Sequence, residues 1–427
     1  MEKFVIEGTG PLSGEVATSG AKNAALPIMA ATLLTTDECV IDNVPLVEDV
    51  RTMAKLLRHL GCRVELDELN HRVRVQAPPS DELNPEVPEQ LARKMRASFL
   101  VTGPILARAG RVRAPHPGGC SIGRRPVNVD IKSFQAMGAA VQYSRDQNQY
   151  DLMVDRLRGD RIYLDYPSHT GTENVLLAAT LASGVTVLKH ASAEPEVADL
   201  ISCLQQMGAR IRGSGTSYLE IEGLDQLGGV HYRVMPDRIE AGTYAIAGAI
   251  SGGDVAITDV VADHMDPLTH KLREAGALVE ASGDAYRVRR QRALRGIEVQ
   301  TLHFPGFPTD LQAAFATLLT QANGTSLIHE RVYDDRLQYA GELRKLGASV
   351  EVSGQTATIT GPAHLTGSNV RALDIRCGAA LILAAIAADG RTAIGDIYHV
   401  DRGYERVEDK LRSLGVKIER VVEPSLD

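Results

Sequence analysis

Residues 24–66 read AALPIMAATLLTTDECVIDNVPLVEDVRTMAKLLRHLGCRVEL, and residues 378–420 read GAALILAAIAADGRTAIGDIYHVDRGYERVEDKLRSLGVKIER. Both stretches follow one order: an alanine-rich run, a short β-branched run, a polar turn, an amphipathic segment ending in glycine, and a final strand-like run. Segments between them repeat it, so that the closing glycines fall at Gly61, Gly138, Gly208, Gly276, Gly347 and Gly415. A spacing of roughly 70 residues exceeds that of solenoid repeats and suits a compact α/β unit.

Each part of the unit has a physical cause. Val50, Met53, Leu56, Leu57 and Leu60 recur at three- and four-residue steps, which predicts a helix with one face on a sheet. The glycine that follows can take the left-handed conformation that ends a helix, and a strand begins at once, as at residues 63–66. The alanine-rich segments, such as residues 244–250 and 379–388, are apolar on nearly every side and belong in an interior. Six units exceed what one core holds, since cores stop growing near about 250–300 residues. The expected fold is therefore α/β, with two lobes of three units facing each other across a cleft. The chain would cross between them near YRVMPDRIEAGTY, residues 232–244.

Composition narrows the function. A net charge of −8 offers no general attraction to nucleic acid or acidic membranes, so a polyanion would need a local cluster of cations. Small anionic ligands fit better. The five cysteines, Cys39, Cys62, Cys120, Cys203 and Cys377, are odd in number, scattered and without zinc-type spacing, which points to a reducing compartment and no structural metal. The opening MEKFVIEGTG lacks the apolar stretch of a secretory signal. The longest apolar run, residues 379–388, is about half the roughly 20 residues a membrane span needs.

Four groups of residues carry chemistry. In GEVATSGAKNAALPIMAA, residues 14–31, Ser19, Gly20, Lys22 and Asn23 precede a helix whose free amides favour an anion; Lys22 reads as a phosphate ligand or as a surface lysine. In RAPHPGGCSIGRRPVNVD, residues 113–130, prolines stiffen the approach and glycines permit turns around Cys120, while Arg124 and Arg125 bias its thiol toward thiolate. That describes a lid whose cysteine serves as acid or nucleophile. In HFPGFPTDLQAAFATLL, residues 303–319, Asp310 at a helix start can take a proton from a hydroxyl or cap the helix, as can Thr309. Finally Arg96, Arg336, Arg376 and Arg402 fall at matching or nearby points of different units, and converging arginines suit a ligand with both carboxylate and phosphate.

Taken together, SGAKNAALPIMAA, MRASFL, PGGCSIGRRPV, PDRIEAGTY, FPTDLQAAF and YHVDRGYERVEDKLRSLG resemble, end to end and in order, the UDP-N-acetylglucosamine 1-carboxyvinyltransferase family of enolpyruvyl transferases. The resemblance implies a two-lobed inside-out α/β barrel of six βαβαββ-type repeats, three per lobe. Residues 20–233 would form the N-terminal lobe with its cysteine lid, and residues 1–19 and 234–427 the C-terminal lobe. It implies a cytoplasmic enzyme of peptidoglycan synthesis that moves the enolpyruvyl group of phosphoenolpyruvate to the 3-hydroxyl of UDP-N-acetylglucosamine and releases phosphate. No metal, organic cofactor, nucleic acid, membrane or obligate protein partner is implied.

Position by position, the resemblance implies that Lys22, Arg125 and Arg402 hold the phosphate of phosphoenolpyruvate and that Arg336 and Arg376 hold its carboxylate. Asn23, Arg96, Arg125, Pro126, Ser168, Asp310 and Val332 would contact the UDP-sugar, Arg125 and Pro126 around the uracil and Ser168 at the diphosphate. Cys120, Asp310, Lys22 and Arg402 would be catalytic, with Asp310 the base; Cys120 would protonate the methylene carbon or hold substrate covalently, and would be where fosfomycin attaches. Departures cluster at the nucleotide: Asn128 replaces a usual Asp, and Ser168, His169, Thr170 and Gly171 replace Ser-Val-Gly-Ala, while Asp334 stands where Glu is common. They keep two further readings open, transfer to another nucleotide or nucleotide sugar, and a catalytically silent nucleotide-sugar-binding regulator.

Overall fold

The spacing of Val50, Met53, Leu56 and Leu57 becomes the helix Glu48–His59, and these four residues are buried together with Asp49, Thr52 and Ala54. Glu48 and Asp49 in its first turn and Arg58 and His59 in its last complement the helix dipole. Gly61 follows with φ of +100°, and the strand Arg63–Asp67 starts two residues later. All six glycines of the repeat lie at φ between +96° and +106°. An alanine there would carry a Cβ against its own carbonyl, which is why the position is glycine in every segment.

The computed structural model describes residues 2–118 and 126–422. They divide into two units, residues 20–118 with 126–235, and residues 2–19 with 236–422. Each is a mixed α/β structure. In the first, His231–Arg233 runs parallel to Cys39–Asp42, whose other edge pairs antiparallel with Arg72–Gln76 and through it with Arg63–Asp67. A second sheet has the same order, Arg161–Tyr163 parallel to Val185–Lys189, then Tyr218–Glu222 and Arg210–Arg212. The third holds Arg111–Pro115, Gln149–Met153 and Ala140–Ser144, and a parallel bridge from Glu86 to Arg113 takes the leading position.

The second unit repeats this order in all three of its sheets among the described residues. Ser13–Ala17 leads Asp254–Thr258, Ala285–Arg289 and Leu278–Ser282; Glu298–Gln300 leads Gly324–His329, Thr356–Gly361 and Ser349–Ser353. In the last sheet Asn369–Arg371 leads Arg391–Gly395, but the next place is filled by Glu2–Glu7, which lies antiparallel between Arg391–Gly395 and Lys417–Val422. Phe4 and Ile6 of that strand are fully buried. The first strand of the chain thus completes a sheet built from its last residues.

Beneath the sheets lie the apolar helices. Every residue from Arg238 to Ile250 is buried in the helix Arg238–Ser251, and so is all of Gln312–Leu319 and residues 375–386 of Ile375–Ala387. These three pack on one another. Small residues permit close packing of neighbouring elements against them: Gly248 faces Val255 of the strand Asp254–Thr258, and a Cβ on Gly378 would stand 2.5 Å from the Val400 side chain. In the other unit Lys22–Ala31, Thr102–Ala109 and His169–Ala179 form the equivalent apolar core. A fully buried Leu or Ile in either core contributes about 1.5–3 kcal/mol. Among the described residues no helix is long and apolar enough to cross a membrane.

Two glycines separate the backbone and packing contributions. Gly208 has φ of +105° with open space around a hypothetical Cβ, whereas a Cβ on Gly223 would meet the Ala182 carbonyl oxygen at 1.7 Å. Gly208→Ala should therefore lose only the left-handed strain, about 1–2 kcal/mol. Gly223→Ala should lose more. Urea unfolding of both variants measures this, and equal losses would show that the contact with Ala182 relaxes freely.

Candidate active site

The sequence FPTDLQ forms a 3-10 turn, Thr309–Leu311, that feeds directly into the buried helix Gln312–Leu319. No side chain caps that helix, so neither Thr309 nor Asp310 plays the capping role that the local sequence allows. Two arginines claim Asp310 instead. Its Oδ1 accepts from Arg336 Nη2 at 2.6 Å, and its Oδ2 accepts from Arg376 Nη2 at 2.7 Å and Nε at 3.0 Å. Burial alone would raise the carboxyl pKa, but Arg376 and Arg336 together hold it well below the usual carboxylate range. Both arginines are buried, and burial alone would lower their pKa; Asp310 pushes it the other way, so both stay charged.

Arg376 is fixed from behind. It lies in the first turn of Ile375–Ala387, whose N-cap Asp374 accepts from the backbone amides of Arg376 at 2.7 Å and Cys377 at 3.1 Å. Arg376 Nη1 also donates to Tyr404 Oη at 3.3 Å, the guanidinium lies 5.6 Å from that ring's centre, and the hydroxyl is 2.9 Å from Thr243 Oγ1. Arg336 lies 5.2 Å from the Tyr333 ring centre and donates through Nη1 to Thr309 Oγ1 at 3.1 Å. Arg402 ends the short helix Tyr398–Asp401, two residues before Tyr404; burial, and then the Arg402 charge, depress the pKa of His399.

Sequence reasoning passed over Glu330. It directly follows the strand Gly324–His329 and is fully buried. Its Oε1 accepts from the amides of Val332 at 2.7 Å and Tyr333 at 3.0 Å, and its Oε2 from Thr309 Oγ1 at 2.8 Å and Gln312 Nε2 at 2.6 Å. Val332 thereby joins the Asp310 cluster through one carboxylate. In HERVYDDR nothing distinguishes this acid from its exposed neighbours Asp334 and Asp335.

In the other unit Lys22 opens the helix Lys22–Ala31, is buried, and lies 3.4 Å from Asp49 Oδ2 in the first turn of Glu48–His59. Asn23 follows it on the same helix. Gly20 is required there because a Cβ would meet the Asn43 carbonyl oxygen at 1.7 Å. Arg96 Nη2 donates to the Pro126 carbonyl at 2.9 Å, which ties the MRASFL segment to the residue that resumes the chain after the cysteine motif. Asn128 begins the helix Asn128–Ala136. The predicted Cys120 and Arg125, with Arg124, lie outside the described residues. Among the described residues no group of three or more His, Cys, Asp or Glu is arranged to hold a metal ion.

Ser168 caps the helix His169–Ala179, its Oγ accepting from the Gly171 amide at 3.0 Å. His169 Nε2 lies 3.0 Å from the buried Glu173 Oε1, an ion pair out of line for a hydrogen bond. Burial would lower the imidazole pKa, but Glu173, with Glu196 and Glu194 beyond it, raises it to about 9. The protonated form of the residue that departs from the family pattern is thus favoured, at a helix N-terminus beside the serine expected to meet a diphosphate.

The model of the EPSP synthase (3-phosphoshikimate 1-carboxyvinyltransferase) family matches residues 6–411. A relative in Caldanaerobacter subterraneus subsp. tengcongensis, UDP-N-acetylglucosamine 1-carboxyvinyltransferase 1, is 46% identical over 98% of this chain and 99% of its own length. A UDP-N-acetylglucosamine 1-carboxyvinyltransferase of Solidesulfovibrio magneticus is 47% identical over 99% of this chain and all of its own. Among solved structures, the enolpyruvyl transferase NikO from Streptomyces tendae superposes with a TM-score of 0.89 at 26% identity over 99% of each chain. EPSP synthase from Acinetobacter baumannii, at 18% identity and a TM-score of 0.76, shares the fold. With a family model spanning nearly all of it and full-length relatives at 46% and 47% identity, the chain belongs to the UDP-N-acetylglucosamine 1-carboxyvinyltransferase family of enolpyruvyl transferases.

Proposed function

We propose that this protein transfers the enolpyruvyl group of phosphoenolpyruvate to the 3-hydroxyl of UDP-N-acetylglucosamine and releases inorganic phosphate, in the cytoplasm, as the committing step of peptidoglycan synthesis. The observation that carries the reading is a half-buried carboxylate, Asp310, held through both oxygens by two buried arginines, on a chain whose full-length relatives bear that activity as their name. In this reading Arg336 and Arg376 take the substrate carboxylate. Lys22, Arg125 and Arg402 take its phosphate, and Asn23, Arg96, Arg125, Pro126, Ser168 and Val332 take the UDP-sugar. The six similar sheets are read as six copies of one unit, three in each half of an inside-out α/β barrel.

The chemistry is an addition followed by an elimination. The sugar hydroxyl adds to C2 of phosphoenolpyruvate, its proton going to Asp310, while C3 takes a proton from Cys120. The adduct then loses a proton from C3 to the Cys120 thiolate and phosphate from C2, the phosphate leaving with the proton that Asp310 took, which restores the double bond and both side chains. Fixed guanidinium charge is what such a path needs, because the substrate keeps its carboxylate throughout and its phosphate until the elimination.

The ion pairs bear on the timing. Asp310, clamped by both guanidiniums, is too weak a base to take a proton. A substrate carboxylate arriving at the same guanidiniums shares their charge and loosens their hold on Asp310, so its proton affinity rises when the donor is bound. Asp310→Ala should then lower kcat by a factor on the order of 100 or more, without raising the KM for phosphoenolpyruvate, because the guanidiniums are left unoccupied. Unchanged turnover in steady-state phosphate release would remove Asp310 from the chemistry.

The acceptor is tested by phosphate release with a panel of nucleotides and nucleotide sugars. UDP-N-acetylglucosamine should support turnover. The His169 imidazolium favours a second reading, another nucleotide acceptor, and release that depends on a different nucleotide alone would replace the first. The pair also marks stability. The folded pKa of His169, about 9, lies above the ordinary value of about 6.5, so its contribution is full below pH 6.5 and lost as pH rises through 9. His169→Gln should lower the thermal unfolding temperature at pH 6, with the deficit vanishing near pH 10. A deficit independent of pH would show that the ring only packs.

A further inference from the structure

We propose that Glu330 is a positioning residue for the base, acting through Thr309 on Arg336; the proposal rests on the roles of Asp310 and Arg336 given above. The hydroxyl of Thr309 has one hydrogen, and Glu330 Oε2 takes it at 2.8 Å. Its lone pairs are thereby turned toward Arg336, whose Nη1 donates to it at 3.1 Å while Nη2 holds Asp310 at 2.6 Å. The guanidinium is planar, so two fixed points set its orientation and with it the oxygen it leaves for a substrate.

The same carboxylate reaches every element around the base. Thr309 precedes Asp310, Gln312 follows it by two residues, and both bind Glu330 Oε2. On the other side, Oε1 fixes the amides of Val332 and Tyr333, and the Tyr333 ring lies 5.2 Å from the Arg336 guanidinium. All four hydrogen-bond partners are uncharged donors, which offset the desolvation of a fully buried carboxylate less than a directly paired cation does. A glutamate kept only for packing could be replaced by an apolar residue at less cost. Here it connects the turn carrying the base, the helix that follows and the loop beneath the arginine, without itself touching Asp310.

The test compares full-length Thr309→Val, Thr309→Ser and Glu330→Gln in steady-state phosphate release, with crystal structures of the wild type and Thr309→Val. Thr309→Val keeps shape and removes the relay hydroxyl; Thr309→Ser keeps it. We expect Thr309→Val and Glu330→Gln each to lower kcat/KM for phosphoenolpyruvate by about 10- to 100-fold, the size of effect a misplacement near 1 Å produces. Thr309→Ser should stay within about two-fold of the wild type, as fits a retained hydrogen bond. The double variant should be no worse than Glu330→Gln alone, because both break one chain of contacts. In the Thr309→Val crystal Arg336 should turn away from Asp310, and the acidic limb of kcat/KM should move to higher pH as that carboxylate loses a cation.

Arg336 still in contact with Asp310 in Thr309→Val, with kinetics and pH limb unchanged, would overturn the proposal, as would losses that multiply in the double variant. Should Glu330→Gln fail to fold, the valine and serine variants decide alone. A wild type that releases no phosphate with any acceptor, while Arg336 turns in the valine crystal, would overturn the proposed function and leave the positioning chain standing.

Discussion

Arg376 stands where a cation is least welcome: in the first turn of a helix whose residues 375–386 are all buried, at the end where the dipole is positive. An unpaired charge there would cost several kcal/mol. The structure answers with Asp374 as cap, Tyr404 against the guanidinium, and the carboxylate of Asp310 from the neighbouring helix of the same unit. The remainder of the cluster follows from that demand. Asp310 turns its second oxygen to the other buried cation, Arg336, and Arg336 is oriented through Thr309 by Glu330. A core of helices that would otherwise be indifferent to its polar ends is thereby given one polar arrangement.

The sheets meet a related constraint. Among the described residues four sheets take their parallel leading strand or bridge from the segment just before their own strands, and two take it from a distant part of the chain. His231–Arg233 completes the sheet begun near residue 39, and Glu2–Glu7 fills a place in the sheet formed by residues 369–422. The burial of Phe4 and Ile6 between partners nearly four hundred residues away ties the termini of the second unit together. Long-range closures of this kind are slow to form, since the loop entropy is lost before the contacts reward it.

Some of this was legible in the chain. Helix 48–59 follows from its three- and four-residue steps, the six glycines take the positive φ that their place after a helix demands, and alanine-rich runs with no polar face had no alternative to an interior. Local chemistry suffices for such features because each depends on residues within one or two turns. The same local logic failed at Asp310. FPTD reads as a helix cap, yet no side chain caps that helix, because two arginines distant in sequence compete for the carboxylate and charged donors outbid backbone amides.

The sequence by itself determined the α/β class, the helix-ending glycines and the inventory of charged residues, since periodicity and composition are properties of neighbours along the chain. The tertiary structure alone decided which charges meet. Arg336 and Arg376, forty residues apart, converge on one carboxylate, and the His169–Glu173 pair, though neighbours on one helix, has its electrostatics set by the burial of Glu173 and by Glu196. Glu330 was invisible among the acids of HERVYDDR, because what sets it apart is burial and the direction of four donors. Both exist only once separate segments have been packed together and water has been removed, and then Coulomb forces choose the partners.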